Sequence, residues 1–224
     1  MSDRILDYAT VRSEVARMNP AARLIAVSKG QDARKIRDLY QLGQREFGEN
    51  YVDELEVKSA LLLDLPDIRW IFIGQLQSNK IQRIVRVAAE IQSAASEKHL
   101  RYIDRHAREM GRAPYPVFIE ANIEGEETKG GVDEATLGQL LKVAGGLGGI
   151  ALQGLMAIPP ADISDQDFHD KGLPPPESFC KLRRLADAVG LGKLSLGMSG
   201  DFRTALAAGS DCVRIGRALF GERS

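Results

Sequence analysis

The sequence predicts an α/β protein that folds as a single (β/α)8 barrel of the TIM type, with an extra helix at its N-terminus. Short apolar or β-branched segments alternate with helical patterns along the chain, which is typical of parallel strands joined by right-handed crossovers. There are eight such segments, the number that closes a barrel. At 224 residues with no dividing linker, the chain is predicted to be one domain, 1–224.

The predicted strands are the segments 23–28, 45–48, 69–73, 90–94, 116–121, 150–155, 193–197 and 211–215. A helical pattern near residues 2–18 precedes them. Between strands, the apolar period becomes helical: Leu100, Ile103 and Ala107 share one face, with Ser96 as the predicted N-cap and Gly111 at the end. An open doubly wound sheet remains the alternative to a barrel.

The composition argues against several functional classes. A formal net charge of −1 gives no support for a nucleic-acid or anionic-membrane partner. Two cysteines are too few for a disulfide scaffold, and they lack metal-ligand spacing with the three histidines. The first 18 residues do not resemble a signal peptide, and no apolar stretch reaches membrane-spanning length. We therefore expect a cytoplasmic protein without a metal site.

Lys29 closes an apolar run, Leu24-Ile25-Ala26-Val27-Ser28, that is typical of a buried strand. This places its amine at the carboxyl end of the first strand, where α/β proteins build their sites. Because an apolar strand end disfavours the ammonium form, the pKa of Lys29 should be lowered, as Schiff-base formation requires. The alternative is a lysine that simply extends into solvent.

Two glycine-containing turns near the C-terminus are predicted to bind phosphate. The first is Leu196-Gly197-Met198-Ser199-Gly200-Asp201, and the second is Val213-Arg214-Ile215-Gly216-Arg217. We refer to these two turns together as the phosphate cup. Gly197 and Gly200 allow close backbone approach, and a helix beginning near Asp201 is expected to direct its positive end there. Barrels frequently hold phosphate after strands seven and eight. Ordinary turns are the alternative.

Two further side chains are expected at the same end of the barrel. Arg214 alternates with Cys212 and so should point inward, where it needs a structural ion pair or a ligand atom. Asn50 ends the second strand and can donate or accept at a ligand. The Lys29 amine and the phosphate cup together fit pyridoxal 5'-phosphate. They would also fit a cofactor-free aldolase that forms a Schiff base with a phosphorylated sugar.

Seven ordered segments from residue 24 onward resemble the pyridoxal phosphate homeostasis protein family. They are Ala26-Val27-Ser28-Lys29, Phe47-Gly48-Glu49-Asn50-Tyr51, Phe72-Ile73-Gly74 with Leu76-Gln77-Ser78-Asn79-Lys80, Lys129-Gly130-Gly131, Gly154-Leu155-Met156-Ala157-Ile158-Pro159, Leu196-Gly197-Met198-Ser199 and Val213-Arg214-Ile215-Gly216. Gln75, Gly200 and Gly30 depart from the expected pattern.

The resemblance implies a fold-type-III barrel related to the N-terminal domain of alanine racemase, with pyridoxal 5'-phosphate as cofactor. Lys29 matches the lysine that forms the aldimine, and Arg214 matches the arginine facing the pyridine nitrogen. Asn50 matches a polar neighbour of the cofactor. The phosphate contacts are expected from the cup, at Met198, Ser199, Gly200, Gly216 and Arg217.

The resemblance also implies intracellular cofactor homeostasis without robust turnover, for which pyridoxal-phosphate-dependent apoenzymes are possible partners. The expected oligomeric state is a monomer or weak dimer. Because the pKa of arginine exceeds about 12, Arg214 cannot protonate the ring, and an unprotonated ring is a poor electron sink. Fold-type-III racemases take a tyrosine from a second domain, which we do not expect here because the sequence stops at residue 224. A weak amino-acid racemase is the alternative.

Overall fold

A computed structural model describes residues 8–122, 130–160 and 162–221 of the chain. Its eight parallel strands run in sequence order around a closed barrel, and pairing of the last strand with the first excludes the open sheet. The strands are β1 (Arg23–Val27), β2 (Glu46–Glu49), β3 (Arg69–Phe72), β4 (Glu90–Ala94), β5 (Tyr115–Glu120), β6 (Ile150–Met156), β7 (Lys193–Ser195) and β8 (Cys212–Ile215). The predicted barrel is confirmed.

Helices cover the outside of the barrel. They are α1 (Tyr8–Met18), α2 (Ala33–Gln41), α3 (Val52–Leu61), α4 (Ile81–Val87), α5 (Glu97–Glu109), α6 (Glu134–Gly145), α7 (Glu177–Ala188), α8 (Phe202–Ala207) and α9 (Arg217–Phe220). Single 3-10 turns lie at Ser78–Lys80 and His169–Lys171. Within the described residues, no helix is both long and apolar enough to cross a membrane.

Local signals in the sequence set several element ends. The Ser96 side chain accepts a hydrogen bond from the His99 N–H, as expected of the N-cap of α5. Gly111 follows that helix with a φ of +64°, a conformation that suits glycine. The predicted N-terminal helix is α1, and its first six predicted residues, 2–7, lie outside the described part of the chain.

Among the described residues the core forms three clusters, the smallest of which consists of Ile25, Ile71 and Cys212. The larger part lies between the barrel and its surrounding helices, and a second cluster packs α1 and α8 against the outward side chains of β8. In that cluster Val213 and Ile215 contact Val11 and Phe202, so the alternation of β8 turns Arg214 inward, as predicted. Burying this apolar stripe fixes the register of β8, and hence the direction of Arg214.

A column of polar side chains crosses the barrel interior from the amino ends of the strands to their carboxyl ends. Arg23 donates to Glu90 at 2.9 Å, and Gln92 Nε2 donates to the same carboxylate at 2.7 Å. Ser195 Oγ then donates to Gln92 Oε1 at 2.8 Å, and Arg214 donates to Ser195 Oγ at 2.7 Å. The interior column thus consists of Arg23, Glu46, Glu90, Gln92, Ser195 and Arg214.

Candidate functional site

A cavity of about 570 Å³ opens at the carboxyl end of the barrel. All eight residues predicted to bind a cofactor line this cavity, although they come from four strand ends far apart in sequence. They are Lys29, Asn50, Met198, Ser199, Gly200, Arg214, Gly216 and Arg217. The structure therefore brings the whole predicted set together; their assignment as cofactor ligands stays a prediction.

Lys29 lies two residues beyond the end of β1 and is half-buried at the cavity wall. Ser28, which precedes it, is fully buried, and its N–H donates to the Gly48 carbonyl at 3.0 Å. Gly30 follows with a φ of +69°, which explains glycine at a position where the family resemblance leads one to expect threonine. The chain therefore turns sharply at Lys29 and presents the side chain to the cavity.

The two turns of the phosphate cup are joined through Ser199. Its Oγ accepts a hydrogen bond of 3.3 Å from the Ala218 N–H at the start of α9, so its own hydroxyl hydrogen can be donated to a ligand. Gly197 has a φ of +105°, and a Cβ there would lie 2.7 Å from the Ala205 Cβ. The first turn thus needs glycine both for its backbone conformation and for its packing against α8.

Two first-turn amides of α8, the helix expected to direct its N-terminus at the phosphate cup, pair with a protein side chain. The Thr204 N–H donates to Asp165 Oδ1 at 2.8 Å, and the Arg203 N–H donates to Asp165 Oδ2 at 3.2 Å. Asp165 comes from the long loop after β6 and is almost fully buried. First-turn amides of this six-residue helix therefore stabilise a protein carboxylate, and Asp165 ties the loop to the cup.

Asp201 lies under the first cup turn and lines the cavity. Its Oδ1 accepts a hydrogen bond of 2.6 Å from the Met198 N–H, which holds the turn. Burial is the main cause that raises its pKa to about 6, and the nearby Asp165 carboxylate acts in the same direction. The Met198 N–H and Arg214 oppose that rise.

Arg214 is buried in the interior column, and its guanidinium reaches the cavity from below. It donates to the Ser195 carbonyl at 2.9 Å and the Ala157 carbonyl at 2.7 Å, as well as to Ser195 Oγ. Burial lowers the pKa of Arg214, whereas the negative charges of Asp201 and Glu120 raise it. These three hydrogen bonds go to neutral acceptors, and they position the cation.

Asn50 follows β2 and lines the same cavity. Its Oδ1 is buried and has no hydrogen-bond partner among the described residues. Because a buried polar atom is normally paired, an acceptor in this state at a cavity wall fits a residue that pairs with a ligand. This observation supports the predicted role of Asn50.

Sequence reasoning missed the rest of the cavity wall. Gln31 has a side chain at the wall, and no pattern marks it because it lies in a turn. An apolar side is formed by Ile73, Met156, Ile158, Pro160 and Ile163, which look like ordinary core or loop residues in the sequence. Lys129, from the segment that resembled the family, lies outside the described residues.

Comparison with known proteins agrees with this geometry. The family model for the N-terminal domain of alanine racemase matches residues 8–224. A pyridoxal phosphate homeostasis protein of Schizosaccharomyces pombe is 38% identical over 204 residues, covering 89% of this chain and 84% of that protein. One from Aquifex aeolicus is 38% identical over 208 residues, covering 90% and 87%. This chain belongs to the pyridoxal phosphate homeostasis protein family.

Two solved structures superpose on this barrel. PipY of Synechococcus elongatus, solved with pyridoxal phosphate bound, superposes with a TM-score of 0.84 at 34% identity, covering 95% of this chain and 97% of that chain. Alanine racemase of Corynebacterium glutamicum superposes with a TM-score of 0.66 at 18% identity, covering 97% of this chain and 61% of the racemase. The second similarity concerns the fold alone.

Proposed function

We propose that this protein binds pyridoxal 5'-phosphate covalently through Lys29 and holds it as part of intracellular cofactor homeostasis, without robust catalytic turnover. The convergence of eight separately predicted residues on one cavity is the observation that carries the proposal. Relatives named pyridoxal phosphate homeostasis protein and the PipY structure with pyridoxal phosphate bound support it.

The residues present fit this cofactor at each of its polar positions. Lys29 supplies an amine for the aldehyde, and the phosphate cup supplies a hydroxyl and backbone amides for the dianion. Arg214 can donate to the ring nitrogen, and the buried Asn50 Oδ1 is an acceptor that a ligand donor can pair with. The apolar side of the wall suits the faces of an aromatic ring.

Bound pyridoxal phosphate would supply an electrophilic carbonyl and an aromatic ring able to delocalise charge. The residues of this chain restrain that chemistry. Arg214 presents only donors, so it could hold a ring nitrogen as a hydrogen-bond acceptor but would not protonate it. Among the described residues that line the cavity there is no tyrosine or histidine, and Asp201, the one carboxyl group among them, is engaged by the Met198 N–H of the cup turn. Both features favour holding the cofactor over using it.

The covalent site is tested on the purified protein loaded with pyridoxal phosphate. We expect a visible absorbance band that borohydride removes, and peptide mass analysis should place the pyridoxyl group on Lys29. Lys29→Ala should lose the band, whereas Lys142→Ala, which changes an exposed lysine of α6, should keep it. Labelling mainly on Lys80 or Lys129 would overturn the assignment, and labelling nowhere would leave the aldolase alternative.

The phosphate cup is tested separately with Ser199→Ala. A charge-assisted hydrogen bond contributes roughly 1.5–3 kcal/mol, so the variant should bind pyridoxal phosphate about 10-fold or more weakly. Pyridoxal without its phosphate should bind far less tightly than the phosphorylated form and respond little to this substitution. If the unaltered protein bound pyridoxal and pyridoxal phosphate with equal affinity, the phosphate cup would not be a binding site for the phosphate.

Turnover is tested by incubating the loaded protein with L-alanine in deuterated water. We expect little α-deuterium or D-alanine. Exchange at about 1 per second or faster would refute holding without turnover and favour the alternative, an amino-acid racemase.

We propose in addition that the partners are pyridoxal-phosphate-dependent apoenzymes, that the site of action is the cytoplasm, and that the protein is a monomer or weak dimer. Cofactor transfer to an added apoenzyme, followed by the recovery of that enzyme's activity, tests the first point. Sedimentation across a concentration series tests the last.

A further inference from the structure

A buried charged cluster lies behind Lys29. Glu49, at the end of β2, is fully buried, and Lys58, on α3, is 6% exposed. Lys58 Nζ donates to Glu49 Oε1 at 2.8 Å, to Glu54 Oε2 at 2.7 Å and to the Ser28 carbonyl at 2.7 Å. These three acceptors match the three hydrogens of the ammonium group.

The same cluster contacts the backbone or side chain on both sides of Lys29. On the amino side, Ser28 Oγ donates to Glu49 Oε1 at 2.6 Å. On the other side, the Gly30 N–H donates to Glu54 Oε2 at 2.8 Å. Because Gly30 also turns the chain through a positive φ, the conformation of the residues flanking Lys29 depends on these two carboxylates.

Burying such a cluster is costly to the fold. Burial raises the pKa of Glu49 despite the hydrogen bonds from Lys58 and Ser28, and its Oε2 has no hydrogen-bond partner among the described residues. Apolar side chains of similar volume often stabilise a fold as well as a buried ion pair does. None of the three charged residues lines the cavity, and their hydrogen bonds to Ser28 and Gly30 link them to the residues on either side of Lys29.

We propose that Glu49, Glu54 and Lys58 form a positioning cluster that fixes the direction from which the Lys29 amine reaches the cavity. The inference rests on the proposed function and deepens it. Neutral Lys29 adds its nitrogen lone pair to the aldehyde carbon of pyridoxal phosphate. The nitrogen then loses both hydrogens, the carbonyl oxygen leaves as water, and a carbon–nitrogen double bond forms. The cluster orients the attacking nitrogen and takes no part in the bond changes.

Glu54 offers the sharpest test because its side chain is 33% exposed and its replacement should leave the fold intact. Glu56 is a matched control on the same helix, since its side chain is 32% exposed and pairs with Arg83 instead. We expect Glu54→Ala to slow the covalent reaction with pyridoxal phosphate about tenfold or more, because small misplacements of a reacting group are costly. Glu56→Ala should react like the unaltered protein.

Two measurements separate positioning from other effects. Pyridoxine 5'-phosphate has no aldehyde, so its affinity reports only the non-covalent contacts of the cavity and should be the same in both variants. The rate of the covalent reaction with pyridoxal phosphate is then measured against pH. At high pH the Lys29 amine is neutral and the rate reaches a plateau, which a loss of orientation should lower. The loss of a carboxylate charge should instead shift only the midpoint of the pH–rate curve. Glu54→Gln should restore most of the plateau rate because its amide oxygen can still accept from Gly30.

The outcomes are distinct. A lowered plateau in Glu54→Ala, rescued by Glu54→Gln and absent in Glu56→Ala, supports the positioning cluster. An unchanged plateau in Glu54→Ala, or an equal loss of pyridoxine 5'-phosphate affinity, overturns it while leaving the proposed function intact. If the unaltered protein carries no pyridoxyl group on Lys29 after borohydride, the proposed function itself fails.

Discussion

Gly197 offers a quantitative test of how the phosphate cup is built. Its φ of +105° lies where side chains are strained, and an added methyl group would meet the Ala205 Cβ at 2.7 Å, the Phe202 Cα at 3.2 Å and the Val213 Cγ1 at 3.3 Å. Backbone strain of this kind costs about 1–3 kcal/mol. Overpacking against rigid neighbours costs about 1–3 kcal/mol more. Gly197→Ala should therefore destabilise the fold by roughly 2–6 kcal/mol.

Gly200, three residues further along the same turn, is the control. A Cβ there meets no atom within 4 Å, so Gly200→Ala should leave stability nearly unchanged. Urea unfolding of both variants without ligand gives the comparison, with the denaturation slope checked for two-state behaviour. Equal midpoints for the two variants would show that the turn relaxes freely, and the packing of Gly197 against α8 would then not be what shapes the cup.

Three other substitutions test buried polar groups. Asp165→Ala should destabilise the fold by about 2 kcal/mol or more in urea unfolding, because the Thr204 N–H and hydroxyl lose their buried acceptor. The pKa of Asp201 is raised to about 6 in the fold, so its carboxyl ionises in the unfolded chain at a lower pH than in the folded protein. Between about pH 4 and 7 the protein should therefore lose stability relative to Asp201→Asn, by up to about 3 kcal/mol. A constant difference across that range would contradict the raised pKa. Tyr115→Phe removes a 2.7 Å hydrogen bond to the Ala88 carbonyl, and thermal unfolding should show a loss of about 1 kcal/mol.

The barrel was predictable because each strand carries its own signal. The apolar runs before Lys29 and around Val213 are local patterns, and their alternation with helices leaves few topologies to choose from. The residues that end strands were predictable for the same reason. The carboxyl ends of all parallel strands in a barrel meet at one face, so Lys29, Asn50 and the cup had to lie near each other.

The contacts that arise between distant elements could not be predicted in this way. The pairing of Asp165 with the first turn of α8 joins positions 39 residues apart through a loop without a periodic pattern. Lys58 looks like an exposed helical lysine in sequence, and only the packing of α3 against β2 buries it beside Glu49. Both depend on tertiary burial, which changes the energetics of a charge but leaves no mark on its neighbours in sequence.

The interior column constrains how a barrel of this kind could acquire catalytic chemistry during evolution. Within it two cations, Arg23 and Arg214, accompany two carboxylates, Glu46 and Glu90, and Glu46 also pairs with the exposed Arg69. Arg214→Glu, a change meant to hold a proton on a pyridine nitrogen, would leave one cation among three acids and remove the donor from the Ala157 carbonyl. Asp201 and Glu120, whose pKa values Arg214 now lowers, would also lose that nearby cation. A new proton relay at the mouth is therefore linked to the buried charges and hydrogen bonds that Arg214 already serves, so a single replacement there disturbs several groups at once.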